Sequence, residues 1–461
     1  MDRESVKERL YEKYITPTKK MRKKYVGIEI EMPVVNLSGA PTDHVASQAA
    51  AAAFRCHFGF VPQSFDDDGV CYCVADPETG DTLSFDCSYN NMELSLGREE
   101  SLELLWERFS RYVSFLNGEL GKNGHILTGM GINPGRKVNR RDYLPAERYR
   151  MLEHYLKKCG AWETPSLHFH AYPDFGVFSS ASQVQLDVSY NRLLPTLQAF
   201  SLVEPVKAVL FSNSLLSEEP ELLCVRDMLW ANSTHGINPH NVGMLDWLPD
   251  SVDELLEYLC TTSMFCTQRE KRYFSFRPLP VADYLSRERV TGEYFTGIGW
   301  AEDDIHPGPE DLAFLRTYKF EDLTFRGTIE FRSVCCQPFS EAMTVAAFHM
   351  GLMERPEELV ERLSADRALY HHGYSASELR TLMNRRIWPE FVNREALRRL
   401  CLDVLDLAQE GLKGLGRGDE RFLTPLFDRA NTLTSPGRYM AQKLEQGTPM
   451  RDLILEYAQL G

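Results

Sequence analysis

The chain has 461 residues, 66 acidic against 51 basic side chains, a net charge of −15, and 43% hydrophobic and 25% charged residues. This balance predicts a folded globular protein with a sizeable core, and it excludes the dense basic patches on which nonspecific binding to nucleic acid or anionic membranes relies. Eleven scattered cysteines in a chain whose first residues are charged predict reduced, buried thiols in a cytoplasmic protein and exclude a disulfide framework.

Residues 1–24 read as an amphipathic lead-in helix ending in the basic run Lys19–Lys24. Tyr25-Val-Gly-Ile-Glu-Ile-Glu-Met32 then alternates apolar and acidic residues, which predicts a strand. A helix is expected over 42–57, a hairpin around Asp76-Pro-Glu-Thr-Gly80, and a strand through Asn91-Met-Glu-Leu-Ser-Leu96. Leu102, Leu105, Phe109, Val113, Leu116 and Leu120 recur every three or four residues and predict a long helix over 99–121. Further strands are expected at 125–130, 183–189 and 328–333, and helices near 145–158, 193–212, 251–263, 341–354 and 390–412. No run of about 18 apolar residues points to a membrane span. Strands separated by unequal helical stretches suit an α+β sheet better than a doubly wound fold. Residues 1–355 are expected to form the main domain and 356–461 a helical C-terminal region packed on it.

Three strand segments each offer inward-facing charge. Glu29 and Glu31 are two apart and share one face; Asp86 and Glu93 form a second acidic pair in Phe85-Asp86-Cys-Ser-Tyr-Asn-Asn-Met-Glu93-Leu-Ser; Glu330 and Arg332 alternate with apolar neighbours. Taken singly, each is most simply the solvated face of an amphipathic strand. Stacked together the acids would repel, and hard divalent cations with oxygen ligands, Mg²⁺ above all, are the natural compensation.

In order along the chain these motifs resemble the glutamate-cysteine ligase family, most closely its plant-type branch, over most of 25–355. The resemblance is carried by Gly27-Ile-Glu29-Ile-Glu31, Asn91-Met-Glu93-Leu-Ser, Met130-Gly-Ile-Asn-Pro134, Arg148-Tyr149-Arg-Met151, Ser182-Gln183-Val-Gln185-Leu-Asp187-Val-Ser189, Arg226-Asp-Met-Leu-Trp230, the segment from Met264 through Arg269 to Tyr273, and Ile329-Glu330-Phe-Arg332-Ser. The spacing of seven between Asp86 and Glu93 also matches the acidic pair of the enterobacterial branch.

The resemblance implies a glutamine-synthetase-like antiparallel sheet forming a funnel-shaped site flanked by helices. It implies an ATP- and Mg²⁺-dependent ligase that joins the side-chain carboxylate of glutamate to an amino-acid amine, first of all L-cysteine, through an acyl phosphate, as in glutathione biosynthesis. The same chemistry on another amine, or a non-catalytic nucleotide- and metal-binding regulator, are the alternatives. Glu29, Glu31, Asp86, Glu93 and Glu330 would hold two or three Mg²⁺ ions, with Mn²⁺ able to substitute. Gln185 and Arg332 would meet the nucleotide, Glu330 and Arg332 would act in catalysis, and Gln183, Arg226, Arg148, Tyr149 and Arg269 would contact the amino-acid substrate. The expected partners are ATP and small amino acids, with no nucleic acid and no membrane, in a monomer or homodimer.

Gln185, Gln268 and Cys335-Cys336-Gln337-Pro338 depart from the family pattern, and the last of these, just after the Glu330/Arg332 strand, is expected to tune the choice of amine. Residues 233–244 and 287–310 are expected lids. Cys71-Tyr-Cys73 with His168-Phe-His170 lacks the usual structural zinc spacing, and Gly129–Gly135 lacks a phosphate-loop signature, so neither carries a site.

Overall fold

The computed structural model describes residues 1–461 except 22, 163, 166 and 246. Fifteen strands are formed by the described residues: β1 Val26–Asn36, β2 Val61–Phe65, β3 Cys71–Ala75, β4 Thr82–Phe85, β5 Asn91–Glu99, β6 His125–Leu127, β7 Ser182–Asp187, β8 Val242–Gly243, β9 Ser263–Arg269, β10 Arg272–Pro280, β11 Val290–Phe295, β12 Trp300–Ile305, β13 Tyr318–Lys319, β14 Glu321–Leu323 and β15 Thr328–Phe331. Nine of them make one sheet in the order β14-β15-β7-β1-β5-β4-β3-β2, with β6 paired to the far end of β1. Every pairing in it is antiparallel. The fold is α+β, built on this large antiparallel sheet.

Strand periodicity sorts the two faces of the sheet. Ile28, Ile30 and Met32 of β1, Leu94 and Leu96 of β5, and Val184 and Leu186 of β7 are buried on one side. The helix Leu102–Gly121 packs on β5 and β6, and the helix Thr344–Met353 on β1 and β7. The helix Leu193–Phe211 belongs to a 22-residue span apolar enough to cross a membrane, but 78% of that window is buried inside the protein and it contains the Glu204–Lys207 ion pair. It is a core helix.

The chain after Pro356 is helical and tightly joined to this layer. Gly351 and Gly411 let the helices Thr344–Met353 and Arg394–Leu415 touch backbone to backbone: a Cβ on Gly411 would lie 2.0 Å from the Gly351 carbonyl oxygen. Arg380, from the helix Ala376–Met383, reaches further and grips Asp227 with Nε at 2.8 Å and Nη2 at 3.0 Å, and Glu204 with Nη1.

A second sheet has four strands in the order β12-β11-β10-β9. The helix Glu147–Leu156 packs against β10 and β11, with His154 stacked on Trp300 at 3.5 Å and Lys158 paired to Glu293. The lead-in segment is helical but not one helix, passing from an α-helix at Arg3–Leu10 through a wider turn at Tyr11–Ile15 to a 3₁₀ turn at Thr16–Lys19, where Pro17 removes a backbone donor. The expected lid at 287–310 is mostly the β11–β12 hairpin, six residue pairs long, rather than a loop.

Candidate active site

The polar face of the large sheet collects the charge. Glu31 sits directly opposite Glu93 across β1 and β5, Glu29 opposite Gln183 across β1 and β7, and Glu330 opposite Gln185 across β15 and β7. One further pairing brings Asp322 of β14 opposite Glu330. Partners in register project to the same side, so the face carries five strand carboxylates and two amides within these four pairings.

Asp86 joins them from a turn. Its neighbour Cys87 holds φ at +58°, a left-handed conformation that costs an L-residue energy, and the Leu144 amide fixes the turn by donating to the Cys87 carbonyl at 2.8 Å. Ligand oxygens of Glu31, Asp86 and Glu93 consequently lie within 4.8 Å of one another. Among the described residues no Lys or Arg forms an ion pair with Glu29, Glu31, Asp86 or Glu93.

What holds these acids in place is neutral. The Ala181 amide donates to Glu31 Oε2 at 2.7 Å and Gln183 Nε2 to Glu31 Oε1 at 2.9 Å; Gln185 Nε2 donates to Glu29 Oε1 at 2.7 Å and Ser95 Oγ to Glu93 Oε1 at 3.1 Å. Burial and the neighbouring Glu330 push the Glu29 carboxyl up to about 7, and burial with Asp86 pushes Glu31 up to about 7. Burial also raises Asp86, and burial with the Glu29 charge raises Glu93 well above the usual range. Four acids with elevated affinity for protons, all oxygen donors and none paired, fit a divalent cation.

Two cavities open on this face. A narrow pocket of about 110 Å³ is lined by Glu31 and Asp86, by Gln183, Arg148, Arg226 and Arg332, and by the aromatic rings of Phe175, Trp230, His235 and Tyr318, with the Arg332 guanidinium 5.8 Å from the Tyr318 ring centre. Arg226 is 7% exposed, and among the described residues neither its Nε nor Gln183 Oε1 has a hydrogen-bond partner. Tyr149 lies in the wall beside Arg148, whose guanidinium is 5.7 Å from the Tyr149 ring centre. A wider cavity of about 860 Å³ starts at Glu29 and Gln185 and spreads over Gly27 and Gly97 under a basic rim of Lys20, Lys23, Arg98 and Arg326. Arg326 Nη2 donates to Gln185 Oε1 at 2.6 Å, tying that rim to the carboxylate row. Arg332 pairs with Glu330 at 2.5 Å.

The structure brings together every residue singled out from the sequence except Arg269. That guanidinium is spent on Asp311, at 2.9 Å through Nη2, and on the His306 carbonyl at 3.0 Å, in the second sheet. It lines neither cavity, because a buried, fully desolvated Asp311 claims it as counter-ion. The expectation for Cys335, Cys336 and Gln337 also changes. All three are at most 1% exposed, and Gln337 bridges the Phe211 and Cys335 carbonyls and accepts from Arg429 Nη1 at 2.7 Å. They form a buried extended segment that pairs with Ser180–Ser182, and they line neither cavity. Asp322, Arg326 and His235 are the members that sequence reasoning missed. Asp322 and Arg326 lie in a segment too short and too irregular to show a strand period, and a single histidine in a loop carries no pattern.

The chain matches the model of the family described as glutamate-cysteine ligase family 2 over residues 25–454. It is 21% identical over 362 residues to the chloroplastic glutamate–cysteine ligase of Nicotiana tabacum, covering 76% of this chain and 63% of the tobacco protein. It is 22% identical over 367 residues to that of Brassica juncea, covering 76% and 64%. The chain thus spans less than two thirds of the length of these relatives. Among solved structures it is similar to a bifunctional glutathione synthetase from Pasteurella multocida, with 11% identity and a TM-score of 0.48 over 100% of this chain and 54% of that one. It is also similar to a glutamate–cysteine ligase from Francisella tularensis in complex with AMP, with 10% identity and a TM-score of 0.43 over 96% and 89% of the two chains.

Proposed function

Because the chain belongs to glutamate-cysteine ligase family 2, we propose that it is an ATP-dependent ligase joining the side-chain carboxylate of glutamate to the amine of a second amino acid, with cysteine as the first candidate. The observation that carries this reading is the meeting of two opposed charge sets in one pocket. Glu31 and Asp86, clustered with Glu93 and without an ion-pair partner among the described residues, are in its wall, and Arg226, buried and with no partner for its Nε among those residues, lines the same pocket. A buried, unsatisfied arginine is costly unless a ligand carboxylate completes it.

A carboxylate does not acylate an amine in water, because its oxygen is a poor leaving group, and taking up the γ-phosphoryl of ATP makes it reactive. In this reading the wide cavity accepts the nucleotide, its basic rim meeting the phosphates. Glu31, Asp86 and Glu93 would hold one Mg²⁺, and Glu29 and Glu330 with Gln185 a second. Bound there, the metal neutralises phosphate charge and aligns the γ-phosphoryl.

The protein's own groups then divide the work. Arg226 and Arg148 grip the carboxylates of the amino-acid substrate, Arg226 by the planar two-point contact that only a guanidinium offers. The unpartnered Gln183 Oε1 accepts from the substrate ammonium. Arg332, held by Glu330 at 2.5 Å in the wall of the narrow pocket, offsets charge on the phosphoryl group in flight. Phe175, Trp230 and Tyr318 keep water from the activated carboxyl. We place the reaction in the cytoplasm, in keeping with the reduced thiols.

Trapping tests this directly. With ATP, Mg²⁺, glutamate and hydroxylamine the protein is expected to form the γ-hydroxamate of glutamate, detectable by mass. Formation of ADP without hydroxamate, or neither product, contradicts the acyl phosphate.

A further inference from the structure

The wide cavity carries an aromatic ring that neither metal nor phosphate binding uses. Phe325 sits at the tip of the β14–β15 hairpin, lines that cavity and is 51% exposed. A lone exposed apolar residue is ordinary, but turn tips favour Gly, Pro, Asn, Asp and Ser, and this ring opens on a space large enough for a ligand. The tip is well tied. Gly327 closes it at φ +76°, its amide donating to the Thr324 carbonyl at 3.1 Å. The Thr324 amide donates to the Thr328 carbonyl at 2.9 Å, and the two threonine hydroxyls lie 2.7 Å apart.

We propose that Phe325 is the platform on which the base of the nucleotide stacks, with Arg326 beside it turned to the phosphates. The inference rests on the reading of the wide cavity as the nucleotide site and names the residue that holds the base. Small-molecule ligands occupy clefts of roughly 300–1,000 Å³, so the cavity of about 860 Å³ suits a nucleotide and the pocket of about 110 Å³ does not. Glu29 and Gln185 in its wall belong to the carboxylate row that takes the metal and the phosphates. Arg326 ties that row to the tip: its Nη2 donates to Gln185 Oε1 at 2.6 Å, and its guanidinium carbon is 5.5 Å from the Phe325 ring centre. A nucleotide with its phosphates at the row therefore has its base within reach of Phe325.

An aromatic face suits a base. Every base has a π face, so stacking asks no hydrogen bond of the protein, and a phenyl ring supplies it. Covering a half-exposed ring with the flat base removes apolar surface on both from water. A ring on a closed hairpin tip also has little ordering left to lose when the ligand arrives. Among the described residues of this wall the other aromatic side chain is Tyr25, which is more buried and follows the basic run Lys19–Lys24. It serves as the rival platform in the test.

The test is calorimetric titration of the full chain, in Mg²⁺, with ADP and with inorganic tripolyphosphate, a probe that has phosphates but no base. Phe325→Ala is expected to weaken ADP binding at least about fivefold and to bind tripolyphosphate within about twofold of wild type. Phe325→Trp restores an aromatic face and is expected to keep ADP within about twofold of wild type. A loss of ADP binding in Phe325→Ala smaller than about fivefold, equal losses for ADP and tripolyphosphate, or a larger loss in Tyr25→Ala than in Phe325→Ala overturns the proposal. Should Phe325→Ala not fold, the indole added in Phe325→Trp decides: ADP is expected to quench its fluorescence and tripolyphosphate to leave it unchanged, and no response to ADP overturns the stack. A wild type that binds neither probe overturns the nucleotide reading of the cavity and this inference with it. ADP binding that depends on Phe325, in a protein that forms no γ-glutamyl product, supports the platform and overturns the ligase reading alone.

Discussion

Glu31 and Glu93 face one another directly across the β1–β5 pair, and among the described residues no Lys or Arg forms an ion pair with either. Like charges directly opposite on a sheet destabilise it, so this pairing is a stored cost whose relief comes from outside the chain. Glu93→Gln keeps the shape and removes one charge. It is expected to lower turnover at least about a hundredfold while leaving the melting temperature of metal-free protein unchanged or higher. A variant with wild-type turnover and the same Mg²⁺ dependence would remove Glu93 from the metal site.

The same acids set a pH dependence. Glu29 and Glu31 are raised from an ordinary 4.5 to about 7, so between those values the metal-free folded state binds more protons than the unfolded chain. Their contribution to stability is therefore present below about pH 4.5 and is lost as pH rises through 7. Added Mg²⁺ replaces those protons, and the rise in melting temperature it produces is expected to be larger at pH 8 than at pH 5.5. Equal rises at the two pH values would contradict a cation bound by these carboxylates.

Arg226→Lys is expected to raise KM for glutamate at least about tenfold and that for ATP less than about twofold, since an ammonium cannot reproduce the two-point grip on a carboxylate. Steady-state kinetics in both substrates decide it. Equal effects on the two would place Arg226 outside the amino-acid site.

Arg380 joins the C-terminal helices to the pocket wall through buried bonds to Asp227 and Glu204. Removing it strands two carboxylates, so Arg380→Met is expected to destabilise the protein by about 3–5 kcal/mol in urea unfolding, the usual range for breaking a buried pair from one side. A loss below about 1 kcal/mol would show that the network is not a structural joint.

Much of this was legible in the residues. The alternation in Gly27-Ile-Glu29-Ile-Glu31 marks both the strand and its two faces, because a half-buried strand cannot hide a period of two. The helical repeat from Leu102 to Leu120 locates the packing helix at Leu102–Gly121 in the same way. The second sheet was not legible: Ser263-Met-Phe-Cys-Thr267 is buried on both faces, so no alternation survives. Arg269 looked like a substrate contact because motif order says nothing about which acid claims a guanidinium, and Asp311 lies 42 residues away. Cys335-Cys336 looked like an acceptor wall because strand ends often are, whereas here the chain beyond Phe331 runs on beside Ser180–Ser182 and stays buried.

The most direct measurement is ADP release by the purified protein with ATP and Mg²⁺, with glutamate paired in turn with each amino acid and products weighed by mass spectrometry. One ADP per γ-glutamyl amide is predicted, strictly dependent on glutamate, on an amine and on Mg²⁺, and abolished in Glu93→Gln. ADP release that ignores glutamate, or none with any pair, would contradict a carboxylate–amine ligase at this site.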